Sequence, residues 1–393
     1  MSPVSADTVH AAERPHPLDP ATPAELEEAV ALAQAEFPNQ PLFFHAGVLC
    51  EPPKQALRKY LRAERAGQTV EPPPRCIDLM FYIAKTPRLF EATVDLTNKK
   101  VGRLDELPRG KMAPKNPEEA RAVAEFVLQS DELKKEAARL NVPLSHIVAE
   151  PWDYARDTDN EYDRKSQVFF FLRDPETEDL DSNPYTRPLD FLMIVDLNTE
   201  HNRVDRVARL PLGISVQGGD EPKDGFKLGT APEPEYAHHL QKHKPRTSLK
   251  PLRVIQPEGP SFHVDGNLVE WEKWRFRIGF NWREGLVLYD ITFDGRELFH
   301  RISLSEMVVP YGDPRAPLHR KVAFDLGNLG AGFCANNLAL GCDCLGVIKY
   351  FDAHLLGFNG KPVKKENVVC MHEIDAGIQW KHTNWRTGNA SVV

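Results

Sequence analysis

Val94-Asp95-Leu96-Thr97, followed by Arg103 and then Leu107-Pro108, is answered later in the chain by Val195-Asp196-Leu197-Asn198, Val204 and Leu210-Pro211. Each run closes a segment rich in β-branched and aromatic residues, the composition of a strand entering a polar turn. Each also follows a helix start. A strand, a turn and a return strand ending on Leu-Pro, met twice, predicts a duplicated helix-then-strand unit.

Working outward from the first copy, Thr22-Pro23-Ala24-Glu25 reads as a capping box with proline at the first helical position. Leu26, Val30, Ala33 and Phe37 then recur at helical spacing until Pro38. LFFHAGVLC (42–50), CIDLMFYIA (76–84) and LFEATVDLT (89–97) read as strands. Before the second copy, Asn116-Pro117-Glu118-Glu119 opens a helix, and Ser130-Asp131-Glu132-Leu133 caps another that ends near Asn141. QVFFFLRD (167–174) and DFLMIVDLN (190–198) are its strands. Residues 217–250 are rich in Gly, Pro, Lys and His without periodicity, as in a linker. Beyond them Trp274, Phe276, Ile278 and Phe280 alternate, and two strands flank the Asp294-Gly295 turn. No helix pattern stands out there, which predicts a β-sandwich. The expected organisation is a mobile leader over 1–16, α+β units over 17–110 and 114–216, a linker over 217–250 and a β-rich domain over 251–393.

Composition excludes several classes. Of 393 residues 41% are hydrophobic and 27% charged, the balance of a soluble globular protein. A net charge of −8 argues against a nucleic-acid footprint, which needs basic patches. No apolar run reaches the roughly 18 residues of a membrane span. The start MSPVSADTVHAAERPHPLDP lacks a basic and then apolar secretory pattern, so an intracellular location is expected.

Four features could carry chemistry. His239 and His243 in HHLQKH have metal-helix spacing, but their Pro-rich setting reads as a polar loop. Asp325 follows Ala323-Phe324 and precedes Gly327, Gly330 and Gly332. A strand-end carboxylate beside close-passing backbone suits a general base, and also suits a plain turn. Cys344 and Cys370 are compatible with a disulfide closing a loop of about 25 residues, worth about 3 kcal/mol, or with buried free thiols. His372, Glu373 and Asp375 form either a metal or acid–base group or a strand-edge polar cluster.

In order along the chain stand PEGPSF, REGLVLYD, VVPYGDP, AFDLGNLGAG, LGCDCLG with YFDAH, and CMHE followed by GIQWKH. Together they resemble the copper- and topaquinone-dependent primary amine oxidases, most strongly from about Leu252 onward and more weakly through both α+β units. The resemblance implies an α+β fold: two small cystatin-like domains, then an incomplete catalytic β-sandwich. It implies oxidative deamination of primary amines to aldehydes, releasing ammonia and hydrogen peroxide, in a homodimer, in the cytoplasm or the peroxisome. Asp325 stands where the family has the base that takes the α-proton, and Tyr311 where a tyrosine hydrogen-bonds the quinone. Ala323 stands at the gate residue of the amine channel, and Trp152 at its outer wall. Cys344 and Cys370 match an intrachain disulfide.

Asn328 and Leu329 replace the acidic and aromatic residues usual after the base, and Ile374 replaces an acidic residue usual after His372-Glu373. The Asn-Tyr-Asp/Glu motif that yields topaquinone and the His-x-His pair of the copper site do not occur among the 393 residues. The sequence is thus expected to be part of an amine oxidase that by itself forms neither cofactor. The alternative is a non-catalytic homologue acting in binding or assembly. A hydrolase using Asp325 lacks an identifiable partner acid.

Overall fold

The computed structural model describes residues 15–154, 164–197, 202–229, 235–243 and 245–392. Most of the expected leader, residues 1–14, and Asn198 lie outside them.

Helix α1 (Pro23–Ala35) starts as its sequence dictates: Thr22 Oγ1 accepts the Glu25 amide at 3.2 Å while Glu25 Oε2 accepts the Thr22 amide at 2.9 Å. Arg75 then grips the same carboxylate at 2.6 and 2.9 Å. Leu26, Ala29 and Ala33 are buried against an antiparallel sheet of β1 (Leu42–Cys50), β2 (Cys76–Ile83), β3 (Leu89–Asp95) and β4 (Lys100–Glu106), in that order. Fully burying a leucine of this kind contributes about 1.5–3 kcal/mol. Helix α2 (Lys54–Arg65), absent from the expectation, lies between β1 and β2. It buries only Leu57 and Leu61, too narrow a stripe to stand out in KQALRKYLRAER.

The second unit repeats the plan. Asn116 and Ser130 cap α3 (Pro117–Gln129) and α4 (Asp131–Leu140), which cover a sheet of β5 (Ile147–Asp153), β6 (Lys165–Leu172), β7 (Pro188–Asp196) and β8 (Arg203–Arg209). Both sheets carry the same irregularity at the repeated motif. The register shifts between Thr93 and Val94 in one and between Ile194 and Val195 in the other. After the shift Val94 faces Val101 and Val195 faces Val204. Such a bulge bends the hairpin and strengthens its twist.

The remaining chain has a five-stranded sheet ordered β13 (Arg296–Ser303), β12 (Gly285–Phe293), β11 (Trp274–Asn281), β10 (Leu268–Trp271), β9 (Phe262–Asp265). Short strands β14 (Val308–Pro310) and β15 (Val322–Phe324) pair with each other, as do β16 (Lys349–Leu356) with β17 (Pro362–Met371), and β18 (Lys381–Thr383) with β19 (Ala390–Val392). Phe351, Ala353, Val368 and Val369 of the β16–β17 hairpin close a core with Val269 and Ile278. Contrary to the all-strand expectation, the chain here also makes a π-helical turn, Asp325–Leu329, and a short helix α5 (Ala331–Cys334). The glycines allow it. A Cβ on Gly330 would meet the Trp282 carbonyl at 2.4 Å, and one on Gly332 the Asn281 carbonyl at 2.0 Å.

Ion pairs fasten the first unit to the large sheet. Leu57 and Leu61 pack with Val287 and Tyr289, and the Tyr289 hydroxyl donates to Glu51 at 2.7 Å. Glu64 takes Arg277 at 2.8 Å, and Glu297 takes Arg58 and Arg62 at 2.9 and 2.7 Å.

Candidate active site

Strand β5 is the edge of its sheet, which is why Pro151, with no amide hydrogen to give, is tolerated there. Its Ala149, Trp152 and Asp153 form one wall of a cavity of about 300 Å³. Ala323 of β15, with Asn328 and Leu329 of the π-helical turn, forms the other. Ala323 is the smallest side chain on that wall and is 9% exposed.

Four hydrogen bonds hold the walls in register. The Lys115 amide donates to the Asn328 carbonyl at 2.7 Å, and the Lys115 ammonium donates to the Pro151 carbonyl. Gln167, fully buried on β6, donates through Nε2 to the carbonyls of both Asp153 and Arg320, at 2.8 and 2.9 Å. One amide group thus ties β5 to the turn that leads into β15. Sequence reading passed over Gln167 because a glutamine inside QVFFFLRD looks like an ordinary strand residue.

The cavity's charges are shaped by desolvation. Burial raises the Asp153 carboxyl above its usual range, offset in part by Lys115 and Arg164. Burial likewise lowers Lys115, offset by Asp153 and Glu119. Both shifts favour neutral forms, as expected for a site partly closed to water.

The structure brings together three of the residues singled out by sequence, and the chain places a fourth next to them. Trp152 and Ala323 share the cavity, and Tyr311 stands edge-on to Trp152, ring centres 5.4 Å apart at 78°. Asp325 begins the π-helical turn immediately after β15. π-Helical turns occur disproportionately at functional sites. Asp313, by contrast, is spent on its own turn, where it accepts the Arg315 amide at 3.0 Å.

The other candidates lie elsewhere. His239 pairs with Asp179 at 2.8 Å. Glu373 accepts Gln256, the Ser261 amide and Trp271 at 2.6, 2.9 and 3.0 Å, which together hold its carboxyl down near about 2 and make it a structural latch. The expected Cys344–Cys370 disulfide is corrected: both residues are thiols in this structure. Cys344 is buried and hydrogen-bonds the Cys370 thiol. Burial and that bond push the Cys370 thiol up to about 11.

Among the described residues, the cluster of three potential ligands is Asp179, Asp181 and His239, on exposed loops. Two carboxylates and one imidazole do not fit the three-histidine copper site that the resemblance implies.

Comparison with known proteins identifies the frame. Residues 16–106 match the copper amine oxidase N2 domain, and residues 263–393 match the copper amine oxidase enzyme domain. Copper amine oxidase 1 of Aspergillus niger is 39% identical over 96% of this chain and 58% of its own length. A peroxisomal copper-containing diamine oxidase of Nicotiana tabacum is 37% identical over 96% of this chain and 51% of its own. The crystal structure of a copper-containing benzylamine oxidase from Hansenula polymorpha superposes with a TM-score of 0.86 at 36% identity, covering 96% of this chain and 58% of that one. The chain therefore spans between half and three-fifths of these relatives' length. With two domain models, whole-chain similarity and the same fold in agreement, the chain belongs to the copper amine oxidase family.

Proposed function

We propose that these residues form the substrate side of a primary amine oxidase active site. The amine enters along Trp152, passes Ala323 and presents the carbon next to its nitrogen to Asp325, which takes the proton. Tyr311 orients the group that accepts the electrons. The copper ligands and the quinone-forming tyrosine of that reaction are not among these 393 residues, and the chain spans 58% of the length of two such relatives. The products are an aldehyde, ammonia and hydrogen peroxide, and the working assembly is a homodimer. A peroxisomal location fits the tobacco relative.

The observation that carries this reading is the cavity that joins Trp152 and Ala323 at the entrance to the turn begun by Asp325. The test is a complete, copper-loaded protein that contains this chain, given benzylamine or methylamine under oxygen. Equimolar aldehyde and peroxide are expected. Amine binding without either product would replace this reading with a binding or assembly role.

A further inference from the structure

Lys321 is placed in an unusual way for a lysine. It immediately precedes β15, two residues before Ala323. Its ammonium stands 4.4 Å from the ring centre of Tyr311, 4.9 Å from Phe169, 5.3 Å from Trp152 and 5.9 Å from Phe171. These rings come from β5, from β6 and from the segment after β14. Lys321 forms no ion pair among the described residues. The carboxylate that influences it, Glu150, is engaged by the Tyr185 hydroxyl. Aromatic faces therefore stand in for the water or carboxylate a half-buried ammonium would otherwise need.

The backbone adds a second link, because the Tyr311 amide donates to the Lys321 carbonyl at 3.3 Å. Trp152 meets both Tyr311 and Phe169 edge-on, at 5.4 and 5.9 Å. Without the cation, those edge contacts alone would position the indole. Trp152 is also a wall of the substrate cavity, so its freedom sets how well a bulky amine is held.

We propose that Lys321 is a positioning residue. Held among four rings, its ammonium fixes the channel wall at Trp152 and the loop at Tyr311 as one body, and thereby sets the preference for bulky over small amines. The size preference rests on the amine oxidase reading; the mechanical coupling does not.

Two experiments separate them. In the complete, copper-loaded protein that contains this chain, kcat and KM for benzylamine and methylamine are measured for the wild type, Lys321→Met and Lys321→Arg. Methionine keeps the aliphatic packing and loses the charge. The benzylamine-to-methylamine ratio of kcat/KM should fall about tenfold in Lys321→Met, chiefly through KM for benzylamine, which is the scale of one desolvated cation–π contact. Arginine, which also stacks on rings, should restore most of it. An unchanged ratio, or equal losses for both amines, overturns the proposal. The second experiment needs no activity: melting temperatures of Lys321→Met, Trp152→Leu and the double variant. A double-variant shift smaller than the sum of the single shifts is expected, and additive shifts overturn the coupling. If the wild type oxidises no amine but the shifts are non-additive, the functional reading fails while the brace at Lys321 stands.

Discussion

The Lys115 amide donates to the Asn328 carbonyl at 2.7 Å, so the segment leading into the second α+β unit is pinned to the turn that follows Asp325. This bond makes one cavity wall depend on the other. It also shows what the departures at Asn328 and Leu329 leave intact. The contact uses backbone atoms, while the two side chains face the cavity as an amide and an aliphatic group.

Restoring the aromatic residue usual in the family should therefore narrow the cavity. Leu329→Tyr is expected to lower kcat/KM for benzylamine about tenfold relative to methylamine, the scale of a steric change in an apolar pocket. Steady-state kinetics on the two amines check it, and an equal effect on both would remove Leu329 from the substrate path.

Gly332→Ala should be costly because the added methyl would lie 2.0 Å from the Asn281 carbonyl and 2.9 Å from the Trp282 Cα, both backbone atoms. Overpacking against groups that cannot rotate away costs about 1–3 kcal/mol or more. Gly102→Ala, whose nearest neighbour would be the Thr93 carbonyl at 3.5 Å, is the control and should stay within about 0.5 kcal/mol. Denaturant melts of the two variants make the comparison.

Acid should undo the contact between the first unit and the large sheet. Burial alone would raise Glu64, but hydrogen bonds from His16 and Arg275 and the charge of Arg277 hold it down at about 2. Glu284 is likewise held at about 2 against burial by Arg301, Asn281 and Ser303. Depressed carboxylates stabilise the fold above their unfolded pKa, near 4.3, and that contribution is lost as pH falls towards about 2. The melting temperature should fall across this window. Glu64→Gln and Glu284→Gln should each be less stable at neutral pH and less sensitive to acid. A slope unchanged in both variants would contradict the assignment.

The thiol pair gives a redox prediction. Treated with oxidant at raised pH, where Cys370 ionises, the protein should form a Cys344–Cys370 link and gain up to about 3 kcal/mol of stability. Peptide mapping under non-reducing conditions identifies the pair. A link through Cys342 would refute it.

Much of the fold was legible because local signals and tertiary packing agree. The Thr22–Glu25 capping box, the strand at 42–50 and the repeated Val-Asp-Leu motif each specify geometry through neighbouring residues. Helix α2 was not legible, since Leu57 and Leu61 find their partners, Val287 and Tyr289, more than two hundred residues away. The same holds for the site. Family motifs singled out Trp152, Ala323, Tyr311 and Asp325, of which Trp152 and Ala323 line one cavity and Tyr311 touches Trp152. Lys115, Gln167 and Lys321 were not legible, because each acts by a contact with distant chain: Asn328, Arg320 and the rings of β5 and β6. The thiol state of Cys344 and Cys370 depends on redox conditions, which sequence does not encode.

That Asp325 is the proton-abstracting base of an amine oxidase is tested most directly by Asp325→Asn in the complete, copper-loaded protein that contains this chain. Asparagine keeps the shape of the side chain and removes its basicity. Peroxide release from benzylamine should fall by about 10²- to 10⁴-fold, the range for loss of a general base, with the melting temperature nearly unchanged. Turnover equal to the wild type would contradict the account.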